Sequence, residues 1–294
     1  MRIVFIGAVE FSRKALEHLL SLEAEVVGVC TRSKSGFNAD HADLAPVCVA
    51  HDIPCLQVDD LGSHEMASWI RDRVPDVIFC FGWSALLAQE ILDIAPRGAV
   101  GFHPAALPMN RGRHPLIWAL VLGLEATAST FLFLNGIADG GDILSQRRVA
   151  IDADDDARTL YDTVTNVALA QISEFLPLLA AGTHTRLPQD HACASHWRKR
   201  SARDGQIDWR MSARSIHNLV RGLARPYPGA QFAASDGRCI KVWKTAPVDA
   251  APAHLEPGRI FSRLEGRPVI KCGEGAICLL ETDPRFEPKV GDCL

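Results

Sequence analysis

Arg2-Ile3-Val4-Phe5-Ile6-Gly7-Ala8-Val9-Glu10-Phe11-Ser12 opens the chain, and Val26-Val27-Gly28-Val29-Cys30-Thr31 follows one short segment later. Residues 2–7 and 26–31 are apolar, β-branched runs with the composition of buried strands. Between them, residues 12–22 carry Ala15, Leu19 and Leu22 at helical spacing, and Ser12 is placed to cap the helix. Strand, helix and strand in that order predict a parallel sheet with right-handed crossovers, and therefore an α/β fold. The turn after the first strand holds one glycine, Gly7, where a dinucleotide fingerprint needs three. That excludes a nicotinamide dehydrogenase.

Outward from this unit, residues 33–44 read as a polar loop before a helix near residues 44–51. Residues 64–73 read as a helix and residues 76–81 as a strand ending at Gly82. Residues 83–92 form a loop and short helix, residues 116–123 a helix, and residues 128–134 and 143–151 strands. Asp154-Asp155-Asp156 opens the longest helical pattern, with Leu160, Val164, Ala168, Ile172 and Leu176 every four residues. Pro177 weakens its last turn and Gly182 closes it. Residues 184–203 lack periodicity and read as a connection. A helix over residues 212–223 then ends at Pro226-Tyr227-Pro228-Gly229-Ala230. Short strands at 239–244, 258–262, 269–272 and 276–280, separated by Gly-rich turns, suggest a small barrel. The expected division is residues 1–189, a linker over 190–203, and residues 204–294.

Between the two halves of the first domain lies Gly101-Phe102-His103-Pro104-Ala105-Ala106-Leu107-Pro108-Met109-Asn110-Arg111-Gly112-Arg113-His114-Pro115. After an apolar segment comes Asn135-Gly136-Ile137-Ala138-Asp139-Gly140-Gly141-Asp142-Ile143. His103 and Asp139 are proton-handling groups in glycine- and proline-marked turns, where an open α/β sheet places its chemistry.

The His-Pro-x-x-Leu-Pro-x-x-Arg-Gly block, the Trp-Ala helix and the Asp-x-Gly-Asp-Ile segment resemble the 10-formyltetrahydrofolate-dependent formyltransferase superfamily. Its members include methionyl-tRNA formyltransferases and sugar N-formyltransferases. The resemblance implies a Rossmann-like, mostly parallel catalytic domain followed by a small OB-like β-barrel domain. The segments Asp204-Gly205-Gln206-Ile207-Asp208-Trp209 and Arg225-Pro226-Tyr227-Pro228-Gly229-Ala230 resemble that second domain. It makes His103 and Asp139 the catalytic pair. It places Phe81, Gly82, Trp83, Leu87, Leu107, Arg111, Gly112, Ala138 and Asp142 around the folate. Phe11, Asn38, Asp40, Asn110 and Arg113 would lie toward the acceptor. Two positions depart from the pattern: the family's Asn two residues before the His is Gly101, and a frequent Ser after His-Pro is Ala105.

Formyl transfer to an amine needs a neutral nucleophile, a proton acceptor and a donor for the developing oxyanion. A His oriented by a carboxylate serves the second need, and once protonated it serves the third. Gly101 removes a side-chain donor. Three outcomes stay open: protonated His103 with backbone N–H groups replaces it, Asn110 or His114 reaches in, or the protein is a catalytically impaired folate- or sugar-binding homologue. With compensation, Gly101→Asn should be tolerated.

Composition sets the outer bounds. Nearly half of the 294 residues are apolar and net charge is −4, as in a soluble globular protein without a membrane span. The nine cysteines include no CxxC pair, which fits a reducing cytoplasm. His191, Cys193 and His196 fall short of a metal set, so no metal is expected. Residues 197–294 hold 17 Lys+Arg against 11 Asp+Glu, while residues 1–196 hold 14 against 24. The loop after the second strand offers only Arg32 and Lys34, which makes tRNA an improbable acceptor given the Lys/Arg surface that phosphates demand. The leading expectation is N-formylation of a nucleotide-linked amino sugar for surface polysaccharide, with methionyl-tRNA as the alternative. A homodimer is compatible with the sequence.

Overall fold

In the computed structural model, residues 1–34, 39–59, 61–248 and 251–294 are described. Two compact units emerge. The first comprises Met1–Gly112, Ala128–Val149 and Thr163–His196; the second comprises Arg113–Thr127, Ala150–Asp162 and Trp197–Leu294.

The first unit is built on a seven-stranded sheet. Its strands are β1 (Ile3–Ile6), β2 (Val26–Thr31), β3 (Cys55–Gln57), β4 (Val77–Cys80), β5 (Ala99–His103), β7 (Ala126–Phe133) and β8 (Ile143–Ala150), with β6 (Arg111–Gly112) lying outside it. The order is β3-β2-β1-β4-β5-β7-β8. β3 through β5 run parallel, and β7 pairs antiparallel to β5 with His103 opposite Thr130. The opening run predicted the sheet correctly, since all four residues of β1 are fully buried. β3, three residues long and only partly buried, left no apolar run to read.

The helices α1 (Glu10–Ser21), α2 (Ala45–Ala50), α3 (Ser63–Arg71), α4 (Gln89–Leu92), α5 (Pro115–Val121) and α6 (Ala157–Ala181) connect these strands. α1 begins two residues ahead of Ser12. Ser12 is therefore inside the first turn, where its buried hydroxyl accepts from Val9 N at 3.1 Å and donates to Phe81 O at 2.5 Å. It ties the first βα turn to the end of β4. The strand order reverses between β1 and β4, so the carboxyl ends of these strands and of β5 face the crevice where open α/β sheets bind ligands.

α6 is apolar and long enough by composition to span a bilayer, yet Leu160, Val164, Ala168, Ile172, Phe175 and Leu179 form its buried stripe. Phe175 contacts the rings of Phe79 and Phe131 on the sheet. The last part of the stripe runs through Phe175 and Leu179 instead of Leu176, as 3.6-residue periodicity requires.

In the second unit, β10 (Ala230–Ala233), β11 (Cys239–Val248), β12 (Ile260–Leu264), β13 (Arg267–Lys271) and β14 (Ala276–Asp283) make an antiparallel sheet ordered β10-β11-β14-β13-β12. The short β9 (His196–Trp197) precedes it. Helix α7 (Ala213–Gly222), capped by Ser212 accepting from Ser215 N, buries Ile216, Leu219 and Val220. These join Trp209, Phe232, Ile240, Ile270 and Ile277 in one core. The mixed α/β architecture and the C-terminal antiparallel sheet are those expected.

Candidate active site

His103 is the last residue of β5 and is buried, 5% exposed. The loop after it is pinned to the sheet, with Thr130 Oγ1 donating to Ala105 O at 2.7 Å and Gln146 Nε2 to Leu107 O at 3.1 Å. Leu107 itself packs with Leu132 and Ile143. The loop then returns so that Asn110 O lies 2.8 Å from His103 Nε2. The other ring nitrogen, Nδ1, lies 3.6 Å from Asp139 Oδ1.

Asp139 sits in the left-handed region at φ 54°, a conformation its short polar side chain tolerates. Its second oxygen, Oδ2, accepts from Gly112 N at 2.9 Å. Two residues on, Gly141 passes so close to β7 that a Cβ there would fall 1.7 Å from Phe133 O, which only glycine permits. The turn thus delivers one carboxylate oxygen to a backbone N–H and the other to the imidazole. At 3.6 Å, Nδ1 and Oδ1 are not hydrogen-bonded to each other. An amine could share protons with both.

The side chain missing at Gly101 has a specific successor. A Cβ built there would meet Leu134 Cδ2 at 2.4 Å and Cγ at 3.1 Å. Leu134 thus fills the space that a larger residue would need, which revises the expectation for Gly101→Asn: it fits only if Leu134 turns away. Asn110 presents its carbonyl to His103, while its side-chain Oδ1 meets Ser195 Oγ at 3.4 Å. Cys80, opposite Gly101 on β4, is driven by burial to a pKa of about 12, so no thiolate is at hand at neutral pH.

Other candidate residues occupy varied places. Phe81 is fully buried among Phe5, Phe79 and Phe131, and its backbone is already used, its N–H donating to Ile6 O at 2.9 Å and its carbonyl accepting from Ser12 Oγ. Gly82 follows with φ 72°. Trp83 and Leu87 are half-buried, and Arg32 stacks over the Trp83 ring at 4.6 Å. Phe11 is buried against Phe102, with ring centroids 4.3 Å apart. Ala138 is exposed, and Asp142 lends its carbonyl to Phe133 N. Asp40 O accepts from Glu10 N; Asn38 lies outside the described residues. Arg113 belongs to the second unit, where its N–H reaches Trp197 O.

Arg111 is 2% exposed and directs Nη2 to Gln189 Oε1 at 2.7 Å, with His191 Nδ1 at 3.3 Å. Gln189 and Ser195 went unread in the sequence, because isolated polar residues in an aperiodic stretch carry no local signal. Leu86, Met109 and Ile137, next in the chain to the candidate residues Leu87, Asn110 and Ala138, are exposed apolar side chains.

Residues 1–176 match the profile of the formyl transferase family, and residues 199–289 match that of the formyl transferase C-terminal domain. The chain belongs to the formyltransferase family. It is an N-formyltransferase enzyme, and it is 33% identical to the methionyl-tRNA formyltransferase of Acetivibrio thermocellus over 96% of this chain and 91% of that protein.

Among solved structures it resembles the N-formyltransferase from Helicobacter canadensis, in complex with folinic acid and dTDP-3-aminofucose. That match has TM-score 0.72 and 16% identity, over 94% of this chain and 98% of that one. WlaRD, a sugar 3N-formyl transferase, matches with TM-score 0.71 and 15% identity, over 97% and 99%. HypX from Aquifex aeolicus, in complex with tetrahydrofolic acid, matches with TM-score 0.69 and 17% identity over 96% of this chain; the chain spans 44% of HypX. At these identities the structural matches establish the fold alone.

Proposed function

We propose that this formyltransferase moves the formyl group of 10-formyltetrahydrofolate onto the primary amine of a nucleotide-linked amino sugar. His103 and Asp139 handle the proton. The amine is acylated only as the free base, and it must lose one further proton as the new C–N bond forms. Asp139 Oδ1 and His103 Nδ1, 3.6 Å apart, are the acceptors. A protonated His103 then opposes charge on the formyl oxygen, in the role a neutral side-chain donor would otherwise fill. The proton taken from the amine passes to N10 of the folate as its bond to the formyl carbon breaks and tetrahydrofolate leaves. The folate supplies the activated formyl group. Leu86, Met109 and Ile137 suit a flat, partly apolar ring system, and the backbone at Gly82 would hold its polar edge.

The acceptor assignment rests on charge. The residues through 196, which contain the His103–Asp139 pair, are strongly acidic in balance. Of the two cations after β2, Arg32 is committed to stacking on Trp83, and only Lys34 remains exposed. A tRNA acceptor demands several Lys/Arg contacts to phosphate, whereas a nucleotide-sugar diphosphate needs few. Methionyl-tRNA is the second reading, favoured by the 33% identical relative and by the basic C-terminal unit.

The deciding experiment incubates the protein with 10-formyltetrahydrofolate and nucleotide-linked 3-, 4- and 6-amino sugars, in parallel with charged initiator tRNA. Mass spectrometry reads the gain of one formyl group. A formylated sugar beside unmodified tRNA is the expected result. Formylated tRNA alone overturns the acceptor assignment, and tight folate binding without any product points to an impaired catalyst.

A further inference from the structure

Gln189 is 7% exposed, and a buried primary amide is costly unless its donors and acceptor are used. All are. Nε2 donates to Asp139 O at 2.8 Å and to Gly141 O at 2.6 Å, and Oε1 accepts from Arg111 Nη2 at 2.7 Å. The two carbonyls belong to the turn that holds Asp139 at positive φ and presses Gly141 against Phe133. Without Gln189 they would lose these buried hydrogen bonds.

Arg111 closes the circle. Its neighbour Gly112 supplies the N–H that fixes Asp139 Oδ2, so one short segment touches the carboxylate directly and, through its guanidinium and Gln189, the backbone beneath it. The stretch carrying Gln189 is anchored on both sides. Leu187 exchanges two backbone hydrogen bonds with Ile143, at 2.8 and 2.9 Å. Ser195 accepts from Asn110 N through Oγ and from Arg111 N through its carbonyl, both at 2.9 Å. Asn110 is the residue whose carbonyl meets His103 Nε2. Residues 187–195 therefore hold both members of the proton-handling pair from behind.

We infer that Gln189 is a positioning residue: it fixes the Asp139 turn so that the carboxylate faces His103, and Ser195 does the same for the Asn110 carbonyl on the other side of the ring. This inference rests on the proton-handling role assigned above to His103 and Asp139.

The test uses the full-length protein carrying Gln189→Glu. Glutamate has the same size and still accepts from Arg111, but it presents an acceptor where Asp139 O and Gly141 O need a donor. A misplacement of this kind costs about 10²-fold when it reaches reacting groups. We expect kcat to fall about 10–100-fold with KM for 10-formyltetrahydrofolate unchanged within about two-fold. Tm should fall as well, because the new Arg111 ion pair offsets only part of the cost of a buried acceptor set against two carbonyls. Ser195→Ala, at an exposed position, should lower kcat a few-fold, because the Ser195 carbonyl still holds Arg111 N. It keeps the inference testable if Gln189→Glu fails to fold.

A second readout needs no acceptor. In long-range ¹H–¹⁵N spectra, the His103 ring signals, assigned by their loss in His103→Ala, should shift in both variants. Unchanged ring signals together with kcat within about two-fold of the parent would overturn the inference. If the parent protein formylates nothing in the panel, the function reading fails while the ring signals still decide this one.

Discussion

Residues 101–112 and residues 187–195 approach Asp139 from two sides, and they could hardly differ more in how they do it. The first segment brings a titratable ring, a cis Leu107–Pro108 bond and a backbone N–H to the carboxylate. The second brings an amide and a hydroxyl, neither of which titrates at neutral pH, and directs them to backbone atoms of the first segment and of the Asp139 turn, with the Arg111 guanidinium and the Asn110 side chain as further partners. On the proposed function, the first would carry the chemistry and the second the geometry. Substitutions in the first should therefore abolish proton transfer, while those in the second should only loosen it.

His103→Ala tests that contrast most severely. Loss of a general acid–base group typically costs about 10²–10⁴ in rate, and we expect the upper end, with folate binding retained. A variant of near-parental kcat would place the chemistry elsewhere. Asp139→Asn should come next, at about 10²–10³-fold. Asn tolerates the left-handed backbone and can still accept from Gly112 N, so the fold should stand while the carboxylate's charge is lost. If this variant instead unfolds, Asp139 supports the turn as much as it serves the reaction. Gln189→Glu should fall below both.

The same contrast explains what could be read in advance. His103 and Asp139 stand in a run of Pro and Gly whose spacing is a signature, and the apolar strands β1, β2 and β4 declare the sheet. Gln189 is one polar residue in a stretch without period, and its partners, at positions 111, 139 and 141, are 48–78 residues away. Nothing local distinguishes it from a solvated linker glutamine. The β3 edge strand is likewise formed by pairing with β2 and not by its own composition. Leu134 is legible only with Gly101 in view, because β5 and β7 bring them together across the sheet.

That pair offers a milder test. Gly101→Asn alone drives its Cβ into Leu134 and should cost about 1–3 kcal/mol of stability, as overpacking does. Leu134→Ala alone leaves a partly solvated gap. Combined, the two should destabilise by about 1 kcal/mol less than their sum, measured in denaturant melts. Strict additivity would mean that Leu134 does not occupy the space in question. The double variant's kcat then reports whether the site still lacks an oxyanion donor: a rise means it did, and no change means that protonated His103 already meets the need.

The smallest effect concerns His114, the residue just past the first segment and part of the second unit. It adopts φ 55°, and its Nδ1 is buried without a partner among the described residues. Burial, reinforced by Arg113, Arg200 and Lys199, pushes its pKa below the ordinary histidine value. The folded state favours the neutral ring, so this contribution to stability is whole above the unfolded pKa of about 6.5 and drains away as pH falls through the lower folded value. His114→Asn keeps a residue suited to positive φ and removes the titration. Its Tm should fall less steeply than the parent's between about pH 7 and pH 5. His217, also lowered by burial, remains in both proteins and leaves a residual slope. Parallel curves would show that His114 charges without cost, and its sheltered Nδ1 would then have to be reached by water.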